Sequence, residues 1–150
     1  MHIVLHEPEI PSNTGNIIRL CANTGFILHL VKPLGFKLEN KYLLRAGLDH
    51  HDLVQIKIHN TLNECLNDKE ARDIFAFSSK ANQNLYKIEF SGKPWLIFGK
   101  ETKGLPASFL NSLEESKKIK IPVQPKSRCL NLSNAVAIGA YEVVRQLNFR

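Results

Sequence analysis

The sequence predicts an α/β fold, a mostly parallel sheet with helices on both faces, and three observations carry that expectation. Short apolar runs recur along the chain, HIVLH (2–6), ILHLV (27–31), DIFAFSS (73–79) and WLIFG (95–99). The third and fourth are compact and apolar, as strands covered on two faces are. Segments with apolar residues at helical spacing separate the runs, so strands and helices alternate.

Taken in order, HIVLH is a buried strand followed by the polar turn EPEIPSNTGN and a helix, IIRLCAN, with Ile17, Ile18, Cys21 and Ala22 on one side. Gly25 closes that helix in a left-handed cap, and ILHLV completes a βαβ unit. ENKYLLRAG (39–47) has helical spacing, VQIKIH (54–59) alternates as a strand, and TLNECLND (61–68) opens on a threonine N-cap. DIFAFSS and WLIFG are strands joined by the polar ANQNLYKIEFSGKP, which has room for a short edge strand. PASFLNSL (106–113) begins a helix at its proline, KIKIPV (118–123) is another strand, and a last helix runs from about 132 to 147. In such a sheet ligands meet the loops after strand C-termini, here 7–16, 99–106 and 123–133.

The 150 residues fit one domain, 1–150, with no repeat or linker. Hydrophobic residues are 43% and charged residues 23%, a composition that suggests neither disorder nor membrane residence. No apolar run has the roughly 18 residues of a membrane span, and MHIVLHEPEIP lacks the regions of a signal peptide, so a cytoplasmic protein is expected. Cys21, Cys65 and Cys129 stand far apart with no CxxC pair, which implies reduced thiols and no zinc site by spacing. A formal charge of +6 and a pI near 9.3 favour a polyanionic partner such as nucleic acid.

In GKETKGLP, Gly99 and Gly104 have the separation of a phosphate loop, but Leu105 and Pro106 stand where Lys and Ser or Thr are required. What remains is a glycine-bounded turn carrying Glu101, either a plain strand-to-helix turn or a backbone platform for a flat ligand. Asp49, His50, His51 and Asp52 crowd together, yet neighbours on a loop rarely converge on one ion, and a solvated cluster is the simpler reading. Ser127 and Ser133 have no histidine nearby in sequence and no GxSxG elbow exists, which disfavours hydrolase chemistry. Arg19 is the only charged residue of the helix after NTGN, where it serves a helix end, a carboxylate, a phosphate or solvent. SNTGN itself reads as an N-cap and an anion-binding nest.

In NLSNAVAIGAYEVVRQL, Ala135, Ala137, Gly139 and Ala140 leave little bulk, so this helix is buried on more than one side. A core helix and a seam with a second copy both satisfy that pattern. Asn131, Ser133 and Asn134 can cap the helix and face a ligand. Lys117, Lys118, Lys120, Lys126 and Arg128 either grip phosphates or decorate a solvated strand edge.

Three segments, EPEIPSNTGNIIRLCANTG, LIFGKETKGLP and KIPVQPKSRCLNLSNAVAIGAYEVVRQL, resemble in order and over nearly the whole chain the three motifs of the SPOUT RNA methyltransferases. Within that superfamily they are similar to the short tRNA (cytidine/uridine) 2′-O-methyltransferases that act on the wobble nucleotide. The resemblance implies a C-terminal deep trefoil knot, a rare topology, and a bent S-adenosylmethionine held by Phe77, Gly99, Gly104, Ile121, Cys129 and Leu130. It implies Arg19 as the catalytic residue. Because a guanidinium stays protonated, a clamp on phosphate or ribose oxygen is expected of it rather than a base. Asn13, Asn16 and Asn134, with Lys126 and Arg128, fall on the substrate side. The implied partners are a tRNA anticodon arm and a second copy of the chain, with no metal and no membrane. Alternatives are another tRNA or ribosomal RNA target, or a non-catalytic RNA-binding protein of the same fold. Cys129 departs from the serine usual among such enzymes, a change that a backbone contact tolerates and a hydroxyl contact does not.

Overall fold

The computed structural model describes residues 1–41, 43, 45, 53–67 and 73–147. The acidic and histidine cluster at 49–52 and half of the helix expected at 39–47 lie outside them. Among the described residues there are seven strands: β1 (His2–His6), β2 (Ile27–Val31), β3 (Ile56–His59), β4 (Ile74–Phe77), β5 (Gln83–Asn84), β6 (Trp95–Phe98) and β7 (Lys118–Lys120). They form one sheet in the order β3-β2-β1-β6-β4-β7-β5, and every pairing is parallel. The α-helices that lie wholly among the described residues are α1 (Pro11–Thr24), α2 (Leu62–Leu66), α3 (Ala107–Ser112) and α4 (Leu132–Gln146).

Side chains alternate across the pleat, and the alternation sorts them into two cores. Ile3, Leu5, Leu28, Leu30, Phe77 and Phe98 point to one face, where Ile17, Ile18 and Cys21 of α1 meet Val136, Ala140 and Val143 of α4. Val4, Val31, Ala76, Trp95 and Ile97 point to the other, under Leu62 and Cys65 of α2 and beside Phe109 and Leu110 of α3. The helices therefore cover both faces, as expected. Each fully buried aliphatic side chain contributes about 1.5–3 kcal/mol, so the sheet's two-sided burial is the main stabilising term.

Parallel strands need crossovers, and their directions decide where loops gather. From β1 the chain moves outward to β2 and β3; from β6 it leaves on the opposite side of the sheet order, to β7. The gap between the C-terminal ends of β1 and β6 is thus a topological switch point, the place where α/β sheets bind ligands. The loops at 7–10 and 99–106 both open there.

Three local expectations are corrected. Helix α1 begins at Pro11, so SNTGN lies within it and is neither its N-cap nor a separate nest. Proline suits the first helical position because its missing N–H has no intrahelical partner to find, and Asn13, Thr14 and Gly15 are buried by packing. Strand β7 is not an edge, for it lies between β4 and β5. It is also shorter than KIKIPV suggests, since Pro122 cannot donate to a ladder. Glu142 of α4 is buried, its carboxylate held by Arg145 Nε at 2.8 Å and by Gln146 Nε2 at 2.7 Å. Those donors pull its pKa below the usual carboxylate range.

Other expectations hold. Gly25 caps α1 at φ 72°, its N–H bonding Cys21 O at 2.8 Å, and Thr61 Oγ1 accepts the Glu64 N–H as the N-cap of α2. Gln83–Asn84 is the short strand anticipated in the polar connection. Among the described residues no helix is long and apolar enough to cross a membrane.

Candidate functional site

The loop after β6 folds back on itself. Gly104 takes φ 68° and donates its N–H to Lys100 O at 2.9 Å, which returns the chain over Gly99. No side chain fits there: a Cβ on Gly99 would lie 2.0 Å from the Gly104 carbonyl carbon and 2.2 Å from Leu105 N. The glycine at the strand end is thus a packing requirement set by backbone, and it shapes the turn that carries Glu101.

Glu101 reaches across the switch point to the start of α1. Its carboxylate accepts the backbone N–H groups of Glu9 (2.7 Å) and Ile10 (3.0 Å) and the Asn13 side-chain amide (3.2 Å). Helix α1 has no side-chain cap of its own, and its N-cap position is an isoleucine. An acidic group supplied from another loop takes over that role, favoured also by the positive end of the helix dipole. Glu9 reciprocates, accepting the Thr102 N–H at 3.0 Å and its hydroxyl at 2.9 Å. Beside this pair, Lys100 Nζ lies 2.5 Å from Glu7 Oε2, and that contact lowers the Glu7 pKa and raises that of Lys100. His6, just inside the sheet, has its pKa lowered by burial.

The third loop joins through asparagines. Asn13 Oδ1 accepts from Asn131 Nδ2 at 3.0 Å, and Asn131 Oδ1 caps α4 by accepting the Ser133 N–H at 2.9 Å. A continuous chain Glu101, Asn13, Asn131, Ser133 therefore couples the β6 turn to the N-termini of α1 and α4. Replacing Glu101 with Gln keeps the shape but turns an NH2 group toward backbone donors. A loss of about 1.5–3 kcal/mol, the range for bonds to a charged group, is expected in denaturant unfolding.

Around this chain the residues singled out from sequence fall into distinct places. Asn13 is buried within it. Asn16 and Arg19 are exposed on α1, three residues apart and so on one helix face. Arg19 has no ion pair or hydrogen bond among the described residues, in contrast to Arg145, which is bound to Glu142. Asn134 is exposed on the first turn of α4. Phe77 is a core residue, its ring stacked on Phe98 at 4.4 Å and packed where a Cβ on Gly139 would lie 3.0 Å away. Only its backbone is left to meet a ligand. Ile121 is half-buried and packs on the α1 and α4 core.

After Ile121 the chain turns exposed. Residues 122–130, with Lys126 at φ 68°, Arg128, Cys129 and Leu130 among them, are all solvent-accessible. Within 121–130 the one backbone bond among the described residues is Ser127 N–H to Gln124 O at 3.1 Å. That leaves a run of uncommitted backbone groups, with no acidic side chain, at the same sheet end as the β6 turn. The basic run divides in two. Lys117 is committed to Asp73 (3.6 Å) and to the Phe75 ring (4.5 Å), and Lys118 to Glu115. Lys120, Lys126 and Arg128 stay exposed.

Sequence reasoning did not single out Glu9, treated Glu101 only as part of a turn, and gave Asn131 a cap and a ligand-facing role but no bond to Asn13. No spacing signal announces them, since Glu9 and Glu101 meet across 92 positions.

A parallel α/β sheet with a site made of loops and backbone turns at its switch point defines a ligand-binding enzyme architecture rather than a structural module. The sequence profile of the SpoU rRNA Methylase family matches residues 1–141, and the chain belongs to that family. It is 47% identical over 149 residues to a tRNA (cytidine(34)-2′-O)-methyltransferase of Escherichia coli, covering 99% of this chain and 95% of that one. The enzyme of the same description from Yersinia pestis is 48% identical over 154 residues, covering 99% and 95%. A solved structure concerned with 2-OH methylation of C/U34 on tRNA superposes with TM-score 0.91 and 41% identity, covering 99% of this chain and 97% of the other. The AviRb methyltransferase of Streptomyces viridochromogenes with AdoMet, 19% identical, shares the fold at TM-score 0.84 over 98% of this chain and 60% of its own.

Proposed function

We propose that the chain is a single-domain, S-adenosylmethionine-dependent methyltransferase that modifies the 2′-hydroxyl of the wobble cytidine or uridine, nucleotide 34 of tRNA. The observation that carries this reading is the Glu101, Asn13, Asn131 chain, which binds the three motif loops into one unit at the switch point. Full-length similarity to enzymes described as acting on cytidine 34 supports the target.

The residues present fit the cofactor. Gly104 is exposed, with open space where a side chain would stand, and the uncommitted backbone of 122–130 offers donors and acceptors to an adenine edge. Half-buried Ile121 and exposed Leu130 supply apolar surface. Cys129 takes part through its backbone in this reading, so the cysteine in place of serine is tolerated. When bound, the cofactor supplies an electrophilic methyl group.

The chain's own part is positioning and charge. Arg19 projects from the helix whose start is locked by Glu101, and its guanidinium, without a partner among the described residues, holds a phosphate or the ribose oxygen, stabilising negative charge as the hydroxyl proton departs. Asn16 shares its face and orients the same sugar, and Asn134 borders the site from α4. Lys120, Lys126 and Arg128 contact phosphates of the anticodon arm, whose wobble nucleotide must be unstacked to enter.

A homodimer completes the RNA surface: Tyr141 on α4 and Ile10 and Leu130 near the Asn13 to Asn131 bond are large apolar side chains left exposed. The trefoil knot belongs to the same proposal. Its support is the insertion of β7 between β4 and β5 followed by the return of α4 to α1 and β6. A tRNA target fits a cytoplasmic enzyme.

Purified protein, S-adenosylmethionine with a labelled methyl group and tRNA from cells lacking the gene provide the test. Alkali-resistant label at nucleotide 34 is the expected result. Label at another nucleotide, or none, overturns the proposal.

A further inference from the structure

A second group of chemically capable side chains lies on the sheet face covered by α2 and α3. His2, His29 and His59 stand on three adjacent strands, each two positions out of register with the next, since His29 pairs with Val4 and His59 with Val31. Residues so placed share a face and meet diagonally. Their imidazoles form a chain, His2 Nδ1 to His29 Nε2 at 3.0 Å and His29 Nδ1 to His59 Nε2 at 2.9 Å. Cys65 follows on α2, and its Sγ with His29 Nδ1 or Nε2 and a His59 ring nitrogen form a trio lying within 4.8 Å of one another.

We propose that His29, His59 and Cys65 bind a zinc ion at the β2–β3 edge. The donor set is right for it, because two imidazoles with one thiolate suit a d10 ion of intermediate softness. The spacing is close to right as well. Tetrahedral zinc holds nitrogen ligands about 3.3 Å apart and a nitrogen and sulfur about 3.6 Å apart, from bond lengths of about 2.0 and 2.3 Å. The histidine pair opens by a few tenths of an ångström while the sulfur closes in.

Protons balance without a further reactant. With His29 Nε2–H donating to His2 Nδ1, His29 Nδ1 is already unprotonated. His59 shifts its N–H to Nδ1, and the Cys65 thiol releases one proton to solvent. His2 stacks on the buried Trp95 at 3.9 Å between ring centres. With His29 as the donor, the bond between it and His2 holds the tautomer that presents Nδ1 to the ion, the part an outer hydrogen-bond partner takes in metal sites. His29 and Cys65 are 1% exposed, while His59 is half-buried at the terminal strand and gives the ion its way in. Three protein ligands leave the fourth position to water. Cysteine spacing alone could not show this site, as its ligands come from three elements.

Cobalt(II) added to the chelator-stripped, reduced chain tests the idea without any activity measurement. One equivalent is expected to bind with a near-ultraviolet thiolate charge-transfer band that zinc abolishes by displacement. Cys65→Ser is expected to remove the band, and His59→Gln to weaken zinc at least about tenfold, each with metal-free circular dichroism unchanged. Cys129→Ser, which removes the exposed thiol, is expected to keep both signals. No band in the wild type, a band that survives Cys65→Ser, or one lost in Cys129→Ser overturns the proposal. If Cys65→Ser does not fold, His59→Gln decides, and wild-type zinc affinity there overturns it.

Discussion

Arg19→Ala is expected to lower the methylation rate roughly 100- to 1000-fold, the cost of removing one preorganised donor to developing charge. Cofactor affinity and thermal stability should stay close to wild type. The separation follows from where the side chain sits. Arg19 is exposed and unpaired among the described residues, so truncating it breaks no intramolecular bond, and such surface changes usually fall within about ±0.5 kcal/mol. Arg19→Lys should recover little of the rate, since an ammonium offers a point charge where a planar fork is needed. Single-turnover rates at saturating cofactor, with calorimetry of cofactor binding, give the answer. Loss of binding or a collapsed melting temperature would make Arg19 a structural residue.

The second large effect is expected from Gly99→Ala. A methyl group there would sit 2.0 Å from Gly104 C, 2.2 Å from Leu105 N and 2.5 Å from Gly104 O. All three are backbone atoms, so no rotamer change relieves the overlap and the 99–104 turn has to open. Overpacking costs about 1–3 kcal/mol where side chains can adjust; here the upper end or beyond is expected. Opening the turn also withdraws Glu101 from the start of α1, so cofactor binding should vanish in the protein that still folds. Gly104→Ala is the informative control. Its added Cβ meets nothing within 4 Å, and only the φ of 68° is unfavourable, a penalty of about 1–2 kcal/mol. Denaturant unfolding and cofactor calorimetry on the two variants should rank Gly99→Ala well below Gly104→Ala, and equal effects would refute the packing argument.

Much of the outline was legible along the chain. HIVLH, ILHLV and WLIFG announced buried strands through short, mainly apolar runs, and Gly25 and Thr61 announced helix ends, because these signals depend on neighbours a few residues away. The start of α1 was misjudged because SNTGN is polar, yet Asn13 and Thr14 are buried. Asn13 is held there by Glu101 and Asn131, which lie 88 and 118 positions away along the chain. Likewise a solvated edge was one of two readings of the basic run around KIKIPV, and only strand order put its strand inside the sheet.

What the sequence by itself determined is the alternation of strands and helices, the family resemblance and which loops are polar enough to meet a ligand. Periodicity and turn chemistry are local and survive without a fold. The tertiary structure alone decided that three loops share one hydrogen-bonded chain, that Phe77 is core, and that three histidines and a cysteine gather on one face. Those facts depend on which strands lie side by side and in what register, and closing a loop costs only slowly more with its length, so separation along the chain carries little information about proximity in space.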